Sequence, residues 1–166
     1  MEYTIEEMKE SDWEQVSNIY LEGIKTRLAT FQTEAPSWKD WDKGHIKCCR
    51  FAAKLGDKVL GWAALSPTSS RCVYRGVAEV SIYIGEECKG QGVGTALLAH
   101  LIKESEKNGF WTLQSGIIAK NDASIALHKK CGFREVGIRE KAAKMKDKEW
   151  MDVMFMERRS KITGID

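Results

Sequence analysis

The sequence predicts a single mixed α+β domain. Segments in which apolar residues alternate with period two are interspersed with segments in which they recur at helical spacing, in the order β-α-α-β-β-β-α-β-α-β-β. This order departs from strict alternation of strand and helix and therefore favours the α+β class. With 166 residues, of which 43% are hydrophobic and 30% charged, the chain is long enough to bury one core.

The amino-terminal part is expected to pack two helices beside a hairpin. Ser11 and Glu14 have the spacing of a capping box, which predicts the start of a helix. Gly56 and Asp57 separate two apolar runs and predict the turn of a hairpin. The expected elements are a strand at Tyr3–Met8, a helix from the capping box to near Arg27, a loop at Leu28–Pro36, a helix from Pro36 to about Cys49, and hairpin strands at Phe51–Leu55 and Val59–Leu65.

The remaining part is organised around one strand that leads into a helix. Val80, Ile82 and Ile84 alternate with polar residues, and the apolar residues from Val93 to Ile102 recur at helical spacing up to Gly109. The other expected elements are a loop at Pro67–Arg71, a strand at Phe110–Ile118, a short helix capped by Asn121 and ended by Gly132, and strands at Phe133–Glu140 and Trp150–Arg158.

A glycine-rich turn joins the central strand to its helix and reads Lys89-Gly90-Gln91-Gly92-Val93-Gly94-Thr95. Glycines adopt backbone angles closed to other residues, and a helix amino terminus offers free N–H groups and the positive end of the helix dipole. We therefore expect the turn to hold a phosphorylated cofactor. It is not a P-loop, because Gln91 stands where that motif needs Lys, and its glycine spacing is not that of a dinucleotide fingerprint.

Composition narrows the possible partners. The formal net charge of +2 is too balanced to predict a nucleic-acid or anionic membrane partner. No run of about 18 apolar residues and no signal-peptide pattern in the first residues is found, so the chain is expected to be cytoplasmic. Five cysteines without a Cys-x-x-Cys pair and three scattered histidines argue against a metal site. Cys88 is a conceivable nucleophile, but no partner for it is evident in the sequence.

Two motifs carry a resemblance to a known family. The glycine turn resembles the Arg/Gln-x-x-Gly-x-Gly/Ala loop of the GCN5-related N-acetyltransferases (GNAT), and Asn121 to Phe133 resembles that family's Asn-x-x-Ser/Ala…Tyr…Gly-Phe segment. The resemblance implies the GNAT acyl-CoA N-acyltransferase fold over residues 1–166, with a mixed, mostly antiparallel sheet flanked by helices, and acetyl-CoA as cosubstrate. The residues it implies for acetyl-CoA are Ile82, Tyr83, Ile84, Lys89, Gly90, Gln91, Gly92, Val93, Gly94, Thr95, Asn121, Ser124 and Lys130.

Two further stretches narrow the resemblance. Arg71 to Tyr83 and Ala29 to Trp41 are similar to segments of phosphinothricin and methionine-sulfoximine acetyltransferases. The acceptor implied is the α-amine of a small amino-acid-like molecule, and relatives of this kind suggest a homodimer. The residues implied for the acceptor are Phe31, Glu34, Arg71, Tyr74 and Arg75. Arginine forks would pair with a carboxylate or phosphinate, although Phe31 could equally be a core anchor and Arg75 a surface charge.

Two residues are candidates for proton transfer. An ammonium group must lose a proton before it attacks a thioester, and Glu79 on the central strand is the candidate base. The alternative for Glu79 is a solvated or ion-paired carboxylate without a role in catalysis. His128 stands where the family commonly has Tyr, which implies a general acid for the departing CoA thiolate. The alternative for His128 is a packing or cofactor contact.

Other functions remain open at the level of sequence. Within the same class, the acceptor could be a protein amino terminus, a lysine or a polyamine. From other classes, the domain could be a regulatory acyl-CoA sensor without turnover or a nucleotide-binding oxidoreductase. Replacement of Glu79 separates enzyme from sensor, since only an enzyme would lose rate while it keeps cofactor affinity.

Overall fold

The computed structural model describes residues 2–166 and contains seven strands and four helices in the predicted order. Met1, which the predicted domain includes, lies outside the described residues. The elements are β1 (Thr4–Glu7), α1 (Trp13–Thr26), α2 (Trp38–Gly44), β2 (Phe51–Leu55), β3 (Lys58–Pro67), β4 (Val77–Ile84), α3 (Val93–Lys107), β5 (Thr112–Ile118), α4 (Asp122–Lys130), β6 (Arg134–Lys144) and β7 (Trp150–Arg159).

All seven strands form one sheet in the order β1-β2-β3-β4-β5-β7-β6. Every neighbouring pair is antiparallel except β4 and β5, which run parallel because α3 returns the chain across the sheet between them. The mixed, mostly antiparallel sheet implied by the resemblance is therefore confirmed.

Two apolar clusters hold helices against the sheet. α3 presents a fully buried face, with Leu97, Leu98 and Leu101 inaccessible to solvent, to the inner residues of β2 to β5. The second cluster lies around α1 and α2 and is aromatic, with Trp41 and Trp62 at its centre. Because large apolar areas are buried by both clusters, the central strands are fixed from both sides.

Some expected boundaries were wrong. The α1 helix has no side-chain cap from Ser11; a short 3-10 turn at Glu10–Asp12 precedes it, and the Asp12 carboxylate accepts the Lys9 backbone N–H at 2.9 Å. The second helix ends at Gly44 instead of near Cys49. There the buried Arg50 guanidinium donates hydrogen bonds to the Asp42 and His45 carbonyls at the helix end, and the chain turns back toward β2. Pro67 belongs to β3 and β6 extends to Lys144, since each pairs with a neighbouring strand over that length.

No helix within residues 2–166 has both the length and the apolar character that crossing a membrane requires.

Candidate active site

A cleft opens in the middle of the sheet where β4 and β5 separate. The two strands pair only at Val77–Thr112, Ala78–Leu113 and Glu79–Gln114, although β4 continues to Ile84 and β5 to Ile118. Beyond this vertex the facing backbone edges have no strand partner, and polar backbone groups without a partner call for a ligand or water. The cleft encloses about 190 Å³. Its lining residues are Leu28, Ala29, Thr30, Phe31, Glu79, Val80, Ser81, Ile82, Tyr83, Ser115, Gly116, Ile117, Ile118, Asn121, Ser124 and His128.

Glu79 stands at the vertex and is the sole carboxylate on the cleft lining. Its carboxylate makes no hydrogen bond or ion pair with any other residue of the described chain. Gly116 on β5 faces it, and a Cβ there would lie at an ordinary contact distance of 3.7 Å from the Glu79 Oε1 atom. The carboxylate is half-buried and has no partner among residues 2–166, so it is available to a ligand.

His128 projects from α4 and is 1% exposed. Its Nδ1 atom lies 2.7 Å from the Ser124 carbonyl oxygen, and its ring meets Phe133 edge to face at 5.0 Å. Burial lowers the pKa of His128 below its usual value, so the neutral imidazole is the expected form near pH 7. A neutral ring whose Nδ1 donates to a carbonyl has an unprotonated Nε2, which can accept a hydrogen bond but has no proton to give.

The segment Leu28–Phe31, here called the strap, crosses the cleft and is held by both of its walls. The Tyr83 hydroxyl on β4 donates to the Ala29 carbonyl at 3.4 Å, and the Asn121 Nδ2 atom beside β5 donates to the Leu28 carbonyl at 3.1 Å. At the carboxyl end of α1, Arg27 pairs with Asp147 and Glu149 of the β6–β7 turn.

The apolar side of the strap rests on a small separate cluster. Phe31 packs against Ile118, Met145 and Met151, so this aromatic ring joins the strap to β5 and to the β6–β7 hairpin. Phe31 therefore packs on this cluster and lines the cleft, and its contact with an acceptor stays a prediction.

Asn121 is already engaged by the protein on both sides of its amide. Its Oδ1 accepts the Ser124 backbone N–H at 3.2 Å, which caps α4, while its Nδ2 holds the strap. The residue therefore positions the strap relative to α4, in addition to any contact with a ligand.

The glycine turn, Lys89 to Thr95, has the geometry of an anion site. Gly90 and Gly92 have φ of 74° and 83°, and a Cβ at either would meet nothing within 4 Å, so the surface above them is open. The backbone N–H groups of Val93, Gly94 and Thr95 in the first turn of α3 find no acceptor among residues 2–166. Free N–H groups at the positive end of a helix dipole favour a bound anion.

Side chains of the turn face elsewhere. Lys89 pairs with Glu86 at 2.7 Å, Gln91 donates to the Glu87 carbonyl at 3.0 Å, and Val93 is buried in the core. Any contact of the turn with an anion is therefore made mainly by the backbone.

Of the residues expected for the acceptor, only Phe31 lines the cleft. Arg71 lies over the Tyr74 ring at 5.7 Å and Arg75 over the Trp111 ring at 5.8 Å, on the exposed segment that precedes β4. Glu34 and Lys130 are exposed and absent from the lining.

Sequence reasoning missed Ser81, Ser115 and the strap carbonyls, which line the cleft. The signal available for the serines was a polar residue inside an otherwise apolar strand.

Comparison with known proteins gives one consistent family. The sequence profile described as the acetyltransferase (GNAT) family matches residues 5–133. The phosphinothricin N-acetyltransferase of Alcaligenes faecalis is 29% identical over 93% of this chain and 81% of its own. An L-methionine sulfoximine/L-methionine sulfone acetyltransferase of Pseudomonas paraeruginosa is 31% identical over 64% of this chain and 61% of its own.

Among solved structures, a GNAT superfamily phosphinothricin acetyltransferase from Sinorhizobium meliloti in complex with AcCoA superimposes with a TM-score of 0.88. It is 27% identical, and the match covers 100% of this chain and 92% of that one.

Proposed function

Since this chain belongs to the acetyltransferase (GNAT) family and is an acetyl-CoA-dependent N-acetyltransferase, we propose that its acceptor is the α-amine of a small amino-acid-like molecule. The acceptors considered are of the phosphinothricin, methionine sulfoximine and methionine sulfone type, as the names of the relatives suggest. The amine attacks the thioester directly while both substrates are bound. The observation that carries the proposal is the free Glu79 carboxylate at the vertex of the cleft.

Acetyl-CoA would lie with its diphosphate on the glycine turn and its pantetheine arm between β4 and β5. The residues present fit this ligand, because the turn offers unpaired N–H groups above an open surface and the cleft offers unpaired strand edges. Ile82, Tyr83 and Ile84 contribute through those backbone N–H groups that point away from β3. Such groups would also polarise the thioester carbonyl and stabilise the oxyanion that forms on attack.

Glu79 would take the proton that makes the acceptor an ammonium ion, directly or through one water molecule. The freed nitrogen lone pair forms the C–N bond, the C–S bond breaks, and the second proton leaving nitrogen ends on sulfur. No residue forms an acyl-enzyme in this scheme. Cys88, the conceivable nucleophile, is buried and absent from the cleft lining.

Replacement of Glu79 tests the proposal. In E79Q we expect kcat to fall by about 100-fold or more, as for loss of a general base, while the Kd for acetyl-CoA stays within twofold. The measurements are a thiol-release assay and isothermal titration. Glu140→Gln, on an exposed part of β6 with no described partner, is the matched control and should keep full activity. A sensor without turnover would release no thiol even as wild type and would keep its affinity for acetyl-CoA in E79Q.

The acceptor itself is tested with a panel. We expect thiol release with methionine sulfoximine, methionine sulfone or phosphinothricin, and much less with peptides or polyamines, because the strap restricts the cleft and Phe31 gives it an apolar wall. Pairing of an acceptor carboxylate with Arg71 or Arg75 stays a prediction, as do contacts with Tyr74 and Glu34. Activity confined to peptides would overturn the small-molecule assignment.

We also propose that the chain works as a homodimer in the cytoplasm. The supporting observation is the exposed β6–β7 hairpin, where β6 is an edge strand and Val136, Ile138 and Trp150 present large apolar side chains to solvent. Light scattering should give twice the mass of 18.8 kDa. Ile138→Lys should shift the protein toward monomer, whereas Ile162→Lys, at a more exposed position in the carboxyl-terminal tail, should not. A monomeric wild type would refute this part of the proposal.

A further inference from the structure

The Nε2 atom of His128 is a buried acceptor without a partner. Among the described residues no donor reaches it, and the side chain is 1% exposed while lining the cleft. The other ring nitrogen is committed, because the Ser124 carbonyl 2.7 Å from Nδ1 can only accept and so fixes the proton on Nδ1. A buried polar atom left unpaired costs about 1–3 kcal/mol, so a donor from a ligand is the natural complement to Nε2.

The position of α4 identifies which ligand passes His128. α4 packs on the first turn of α3: a Cβ on Gly94 would lie 3.3 Å from Leu127, and the Cys131 thiol lies 3.9 Å from the Thr95 carbonyl. A carrier held by its diphosphate at the glycine turn must run past this helix to enter the cleft. The carrier's reacting arm therefore passes beside His128.

The acetylated and free forms of the carrier differ in one donor. The sulfur of acetyl-CoA bears the acetyl group and has no hydrogen, whereas the sulfur of the product bears an S–H group. Resting on the function proposed above, we propose that the unprotonated Nε2 of His128 accepts a hydrogen bond from the thiol of product CoA. The thiol proton comes from the amine nitrogen during the reaction, and His128 keeps its own Nδ1 proton throughout. In this proposal His128 accepts a hydrogen bond from the product thiol and does not act as the general acid expected from the sequence.

Binding measurements separate this contact from others. In wild type we expect CoA to bind more tightly than desulfo-CoA, which lacks the sulfur. In His128→Phe, which retains a planar ring beside Phe133, the Kd for CoA should rise about 3- to 10-fold, as for loss of one neutral hydrogen bond. The Kd values for acetyl-CoA and desulfo-CoA should stay within twofold. His128→Gln, whose side-chain oxygen can accept, should restore part of the preference and also guards against poor folding of the Phe variant.

The other outcomes are distinct. Equal loss for all three ligands in His128→Phe would mean that the ring touches another part of the carrier and would overturn the proposal. Unchanged binding of CoA, with a kcat that falls as pH rises, would restore the general-acid role and also overturn it. If wild type binds none of the three ligands, the proposed function fails; if wild type binds acetyl-CoA and E79Q loses its rate, the function stands whatever His128 does.

Discussion

Gly76 decides where the cleft begins. Its carbonyl accepts the backbone N–H groups of Trp111 at 2.8 Å and of Thr112 at 3.1 Å, which aligns the start of the β4–β5 pairing. The Trp111 ring lies directly over the glycine, in the space that a side chain would need, and Arg75 covers the other part of that ring. One residue without a side chain thus sets the register that brings Glu79 to the vertex.

Replacement of Gly76 should therefore damage both stability and activity. A Cβ there would lie 2.1 Å from a Trp111 ring atom, so the strand or the ring must move. We expect Gly76→Ala to lower the free energy of unfolding by about 1–3 kcal/mol, as for overpacking, and to raise the KM for the acceptor. Urea unfolding and steady-state kinetics check this. Gly137→Ala is the control, since a Cβ on Gly137 meets nothing within 4 Å, and equal effects of the two would refute the argument.

At the scale of elements, the strap and α4 act as one unit through Asn121. The amide caps α4 with its oxygen and holds the Leu28 carbonyl with its nitrogen, so the helix that carries His128 and the segment that carries Phe31 share one connection. The ion pairs of Arg27 reinforce the same closure, but these side chains are about half exposed and exposed pairs add little stability.

Two substitutions separate the two tasks of Asn121. Asn121→Asp keeps an oxygen for the Ser124 N–H but has no donor for the Leu28 carbonyl, so the strap should loosen while the cap survives. We expect the KM for the acceptor to rise about 5- to 10-fold, which corresponds to loss of one hydrogen bond, with little change in stability. Asn121→Ala should in addition lose about 1 kcal/mol of unfolding free energy with the cap. An unchanged KM in Asn121→Asp would remove the strap from the acceptor site.

At the scale of the whole molecule, the position of the cleft inside the sheet explains why it stays open. β4 is held along seven residue pairs by β3, and β5 along seven by β7, so neither strand can bend to close the gap. Both walls are also backed on one face by the cluster that contains α3, and the aromatic cluster supports β4 on the other face through Tyr83. Rigid walls pre-organise a site for its ligand and reduce the entropy lost on binding.

The pH dependence of folding should report two imidazoles, the buried His128 and the partly buried His45. Burial lowers the pKa of His128 and of His45 below the usual value of 6.5, so the unfolded chain binds protons more readily than the folded one. The contribution of the two neutral imidazoles to the free energy of unfolding is therefore complete above pH 6.5. It is lost as the pH falls through their lower pKa values in the folded state. Each imidazole contributes up to about 1.4 kcal/mol per pH unit in that window.

Urea titrations between pH 5 and 8 measure this slope, and His128→Gln should reduce it by removing one of the two groups. A slope in His128→Gln equal to that of wild type would show that His128 titrates normally, and its neutral form could then not be assumed in the cleft.

The sequence by itself determined the order of elements, because period-two and helical spacing reflect which face of each segment is buried. It also determined the glycine turn, since Gly90 and Gly92 mark backbone angles that other residues avoid. Boundaries that depend on distant partners could not be predicted from it. The second helix ends where the Arg50 guanidinium donates to the Asp42 and His45 carbonyls, and β6 is long because β7 pairs with it.

Only the tertiary structure decided what the cleft contains. Phe31, Glu79 and the α4 segment that carries Asn121 and His128 come from three separate parts of the chain and meet at the cleft between β4 and β5. Arg71 and Arg75, which looked equally suitable, stay outside it. The protonation of His128 is likewise a property of its surroundings, set by burial and by the Ser124 carbonyl. Periodicity records burial one segment at a time, but the geometry of a site depends on how separate segments pack, which no local pattern encodes.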